Sequence, residues 1–117
     1  MTLSTNKKFR TAVFYKDYFE KFFVKQNNRV KEKIIWTIEL IEDVEVLPSI
    51  YLKSITGTNG IYEIRIQTGS DIFRIFCFFE KENLVVIGNG FQKKTQKTPK
   101  NEIIKANQIK LNYENEK

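Results

Sequence analysis

Glu63, Arg65 and Arg74 stand out first, because they interrupt two runs that are otherwise aromatic and β-branched, IYEIRIQ at 61–67 and IFRIFCFF at 72–79. In the first run Tyr62, Ile64 and Ile66 alternate with Glu63, Arg65 and Gln67, the period of a strand with two unlike faces. If the TGSD segment at 68–71 makes a two-residue hairpin, Arg65 lies directly opposite Arg74. Like charges paired in this way destabilise a sheet by about 0.2–1 kcal/mol, so their pairing asks for a reason. Guanidinium groups offer planar, paired donors that match phosphate, and two on one rung make a phosphate grip. Glu63 lies on the same face, either as a counter-charge or as a proton acceptor. Carrying the strand count through a turn at 80–83 sets Asn89 beside Arg74 as a third member of the row. Register is assumed in this count, and a slip would move Asn89.

A second group follows the last strand. Lys93, Lys94, Lys97 and Lys100 stand within eight residues, leading into a helix that Thr98 and Pro99 open. Lysine is the wrong sign for a helix N-terminus, where the dipole and free N–H groups favour anions. A bound phosphate would reconcile the two; a solvated basic loop is the alternative. The chain has no histidine and one cysteine, Cys77, so neither imidazole chemistry nor a metal or cofactor is expected. RNA can be cut without either. Its own 2′-hydroxyl attacks the adjacent phosphate, given a base, charge stabilisation and a proton donor. Glu63 fits the base, Arg65 and Arg74 the charge stabilisation, and Lys93 or Lys94 the leaving oxygen. The same residues would also simply bind a backbone.

The elements that must position these groups follow from the spacing of apolar residues. Residues 9–15 (FRTAVFY) read as a first strand. Asp17 then caps a helix bearing Tyr18, Phe19, Phe22 and Phe23, and Gln26-Asn27-Asn28 interrupts it. A second helix carries Val30, Ile34, Ile38 and Ile41 on one face. From Pro48 to Gly60 the chain reads as irregular. Three strands follow, and a terminal helix presents Glu102, Ala106, Ile109 and Tyr113. The expected order is β-α-α-β-β-β-α: a single α+β domain over 1–117, its mainly antiparallel sheet covered by a helical hairpin and a C-terminal helix.

The 117 residues carry a net charge of +6, with the basic excess in residues 1–40 and 91–117 and an acidic balance between them. Such a field attracts polyanions without specifying one. No apolar run reaches the length of a membrane span, and residues 1–8 lack the apolar middle of a leader peptide, so a reduced, soluble, cytoplasmic protein is expected.

The strings GIYEIR at 60–65, FRI at 73–75 and GFQKKTQKTP at 90–99, followed by Glu102-Ile103 and Ala106, resemble the HigB-type branch of the RelE/ParE toxin superfamily. The likeness runs from about residue 52 to residue 113. It implies a RelE-like fold and the toxin of a type II toxin–antitoxin pair. Such a toxin enters the ribosomal A site, cleaves messenger RNA without a metal, and is held inactive by a helix-turn-helix (HigA-like) antitoxin. By position, Glu63, Arg65, Arg74, Lys93 and Lys94 are the implied catalytic set, with Asn89, Lys97, Lys100 and Tyr113 toward RNA or ribosome. One departure is Gly88-Asn89-Gly90-Phe91, where many relatives carry a Leu-His-Gly-Phe-like approach to the lysines; asparagine is no acid at neutral pH. Two other readings stay open: a ParE-like inhibitor of gyrase, and a degenerate toxin that only binds its antitoxin.

Overall fold

The computed structural model describes residues 8–81 and 83–117. Residues 1–7, on which the leader-peptide expectation mainly rests, and residue 82 lie outside the described residues. The elements run β1 (Thr11–Phe14), α1 (Tyr18–Phe23), α2 (Asn28–Asp43), β2 (Leu52–Ser54), β3 (Ile61–Thr68), β4 (Asp71–Lys81), β5 (Leu84–Lys93) and α3 (Lys100–Asn115). One five-stranded sheet has the order β1-β5-β4-β3-β2. β1 lies parallel to β5, and the other neighbours are antiparallel.

Strand alternation gives the sheet two unlike faces. One carries Ile64, Ile66, Phe73, Ile75, Cys77, Val85 and Ile87, all buried under α1 and α2. The stripe of α2 is the one its spacing predicts: Val30, Ile34, Ile38 and Ile41 point into this core. Asn27 starts the helix by accepting the Val30 N–H at 2.9 Å. Each such side chain contributes about 1.5–3 kcal/mol on burial, so the hairpin is anchored by hydrophobic contact. Cys77 belongs to this core, and burial pushes its thiol up to about 12, so it is no nucleophile at neutral pH.

The opposite face is divided along the strands. At one end Ile61, Phe76, Phe78 and Val86 pack with Ala106 and, partly buried, Ile103 and Tyr113 of α3. At the other end the same face carries charge, and α3 does not reach over it.

Three expectations need correction. The 48–60 stretch is not wholly irregular: Leu52–Ser54 pairs with Ile64–Tyr62 as an edge strand, too short and too polar to show a period. The order is therefore β-α-α-β-β-β-β-α. Second, α3 begins one residue later than expected, with Pro99 as N-cap and no side-chain cap, and Thr98 serves elsewhere. Third, β4 runs on to Lys81 and pairs there with Leu84, so the strands meet two residues closer to the turn than expected. Arg74 therefore faces Phe91 rather than Asn89. Two irregularities offset each other on the way: β4 has an extra residue, Glu80, between Phe79 and Lys81, and opposite Ile75–Cys77 β5 fits two residues, Gly88 and Asn89, against one, a β-bulge.

Candidate functional site

The β3–β4 hairpin sets the centre of the site. Its register pairs Arg65 with Arg74 and Thr68 with Asp71, as a two-residue turn requires. Gly69 at the turn has φ +59°, a left-handed conformation that glycine adopts without strain. The two arginines are held together by Glu63, whose Oε2 lies 3.4 Å from Arg65 Nε and 3.6 Å from Arg74 Nε. Glu63 and Arg74 are each 6% exposed, so this is a largely buried charge group. The Thr98 hydroxyl donates to Glu63 Oε1 at 3.4 Å, tying the segment before α3 to the carboxylate.

Both Nε groups are buried at ion-pair distance without a well-formed hydrogen bond. Arg74 Nη1 donates to the Phe73 carbonyl at 3.0 Å and Arg65 Nη1 to the Ser49 carbonyl at 3.3 Å, which fixes both guanidinium planes. One carboxylate thus faces two cations and cannot neutralise both. Arg74 is held below the usual arginine range by burial and then by Arg65, with Glu63 opposing. The cluster has unspent affinity for an anion.

Lys93 joins this cluster. It pairs with Ile72, two residues from Arg74, which puts it on the same face. Its ammonium is held below the ordinary lysine range by burial, then by Arg74, with smaller pushes from Arg65 and Lys53 and an opposing pull from Glu63. Lys53 is a site residue that sequence reasoning missed. It pairs with Glu63 across the β2–β3 register and so shares the charged face. The available signal was a lysine one strand away from Glu63, but it has meaning only once 52–54 is seen as a strand. Thr98 is missed as well, since its place before Pro99 suggests only a helix cap.

The other expected residues separate. Lys94 is exposed and lies with Ser70, Asp71 and Gln92 along a cleft between the β3–β4 turn and the chain after β5. Lys93 borders the same cleft but is half-buried on the arginine face, whereas Lys94 is exposed beyond the end of β5. Lys97 and Lys100 are exposed, after β5 and at the start of α3. Asn89 is 2% exposed, and its amide N and O both lack a partner, a condition that costs about 1–3 kcal/mol. It sits by Phe76, Ala106 and Ile109 beneath α3 rather than in the arginine row. Tyr113 does not join the site. Its hydroxyl donates to Glu80, and its ring packs edge-on against Phe78 and Tyr15 at the opposite end of the sheet.

A mixed sheet with helices on both faces, and two arginines, a carboxylate and two lysines gathered at one end of one face, defines a small α+β protein with a cationic cluster on its sheet. Residues 21–110 match the family model described as phage derived protein Gp49-like (DUF891). The chain belongs to that family, which forms part of the RelE/HigB-like superfamily of toxin–antitoxin toxins. No curated protein matches the chain.

Proposed function

We propose that the protein is the toxin of a type II toxin–antitoxin pair, of the HigB-type branch, and a ribosome-dependent endoribonuclease that cleaves messenger RNA through the RNA's own 2′-hydroxyl. The observation that carries this reading is the Arg65–Arg74 rung, set by one buried carboxylate and left short of negative charge beneath an open face. A phosphodiester placed there meets two fixed guanidinium groups. These stabilise the extra negative charge that builds on the phosphate oxygens as the 2′-oxygen attacks. Their donors are already oriented, so little reorganisation accompanies the reaction.

Glu63 holds the two arginines in register. With Oε2 between two cations and Oε1 accepting from Thr98, its geometry fits that positioning role better than proton removal. Lys93 is the better-placed proton-transfer group, because it stands on the arginine face and its ammonium is held below the ordinary lysine range by burial and by Arg74. The 2′-hydroxyl gives up its proton, its oxygen bonds to phosphorus, and the 5′-oxygen leaves and takes a proton. Lys94, Lys97 and Lys100 line the approach for the RNA or ribosomal backbone. A helix-turn-helix antitoxin is the inhibitory partner in this reading, the ribosomal A site the place of action and the cytoplasm its compartment.

The test is induced expression with primer extension on cellular transcripts. Growth arrest with new 5′ ends inside translated messages is expected, and Arg65→Ala or Arg74→Ala should abolish both while the protein stays folded. Intact transcripts accompanied by double-strand breaks in DNA would defeat the ribonuclease reading and favour inhibition of gyrase.

A further inference from the structure

β1 pairs with β5 only as far as Phe14 and Ile87, with one further bond from the Tyr15 N–H to the Ile87 carbonyl at 3.2 Å. β5 continues to Lys93, and among the described residues no strand pairs with its upper edge. A groove crosses that edge between the two helical layers. Tyr18, Lys21 and Lys25 form one wall, Gly90 and Gln92 the floor, and Lys105 of α3 the other wall. Among the described residues no carboxylate lines it; the Asp17 carboxylate, paired with Lys21 at 3.4 Å, lies outside on an exposed surface. Gln92 also borders the cleft lined by Lys93 and Lys94, so the groove adjoins that cleft at the edge of the sheet, and Lys93 in turn shares the face of the arginines.

Asn89 stands between this groove and the closed space under α3, and it lines both. Its amide is buried with neither donor nor acceptor paired. A native structure rarely leaves such a group without a partner. Rotation of the side chain toward the groove would give it one.

We infer that this groove binds the single-stranded RNA that continues from the phosphate on the arginine rung, a step that rests on the ribonuclease reading above. Lys21, Lys25 and Lys105 hold its phosphates, and Asn89 turns its amide into the groove to pair with the edge of a base. A carboxamide offers one donor and one acceptor side by side, the complement of an adenine edge. Along β5, Asn89 and Lys93 are four residues apart, about 13 Å, within reach of a few nucleotides. An extended peptide could also pair with the free strand edge, but it would leave the buried amide unexplained.

The experiment uses uncleavable 2′-O-methyl RNA, a trimer and a nonamer, with affinity read by fluorescence anisotropy over a salt series. The combined variant Lys21→Ala, Lys25→Ala and Lys105→Ala should bind the nonamer at least about tenfold more weakly and the trimer unchanged. Its salt slope for the nonamer should flatten by about two units, since each single-strand phosphate contact contributes about 0.7. Arg65→Ala should weaken both oligomers. Asn89→Leu, or Asn89→Ser should the leucine form melt early, should reduce the preference for an adenine-containing nonamer to less than about twofold. A triple-lysine variant that binds the nonamer like the parent, while Arg65→Ala still weakens it, overturns the groove and leaves that edge to a peptide partner. Undiminished base preference in the Asn89 variants overturns the base contact. Failure of the parent to bind either oligomer defeats the RNA reading of the whole site.

Discussion

Glu63→Gln separates the two roles open to that carboxylate, because the structure sets a size for the stability change. The substitution would keep the shape of the side chain and remove the carboxylate that stands between Arg65 and Arg74. Removing one partner from a buried ion pair costs about 3–5 kcal/mol, since the remaining charge stays buried without compensation. Arg74 is enclosed, but Arg65 is partly open to water, which screens its share. The lower end of that range, about 3 kcal/mol, is therefore expected. For a domain of 117 residues, at about 4 °C per kcal/mol, this is a fall in Tm of about 12 °C. The assay is a set of thermal and urea melts of Glu63→Gln, Arg74→Met and the double variant. Methionine fills the space of the arginine stem without its charge, so the double variant should regain more than half of the loss. Single-turnover cleavage by Glu63→Gln is measured in parallel, below its melting range. If the Gln variant melts within about 2 °C of the parent and yet loses cleavage, the carboxylate is the proton acceptor and the positioning argument fails.

Lys93→Met probes the crowding of cations. Because the folded-state pKa of Lys93 is lowered, the unfolded chain binds more protons between that value and the ordinary 10.5, and parent stability rises with pH across this window. The Met variant should therefore be the more stable at neutral pH, with its advantage shrinking as pH approaches 10.5; a constant gap in urea midpoints would contradict this. Tyr113→Phe should lower stability by about 1–2 kcal/mol through loss of the bond to Glu80, while leaving growth arrest intact; loss of toxicity with a normal melt would return Tyr113 to the RNA site. Gly90→Ala should destabilise by about 1–3 kcal/mol in denaturant melts, because the new Cβ would lie 2.6 Å from the ring of Phe22, which is packed in the core. A neutral Gly90→Ala would mean that α1 lies further from β5 than the structure places it.

Whatever depends on neighbours along the chain can be read from the amino-acid order. The spacing of Val30, Ile34, Ile38 and Ile41 identifies the buried stripe of α2 without further information. The short turn between β3 and β4 sets Arg65 opposite Arg74, because a two-residue hairpin leaves only one register. The strings around those arginines and lysines were enough to indicate the superfamily. What required the tertiary structure is whatever depends on a bulge or on a partner far along the chain. The β4–β5 pairing lies two residues from the one that counting gives, and the bulge at Gly88–Asn89 absorbs a residue, which moved Asn89 from the arginine row to a place beneath α3. Lys53 and Thr98 reach Glu63 from elements that are distant in sequence, and neither carries a local pattern that marks it. Tyr113 sits on the face of α3 that its period predicts, but only the sheet decides that this face meets Glu80, at the far end from the arginines. Local periodicity specifies which way a side chain points; what it meets there is decided by how the strands are placed against one another.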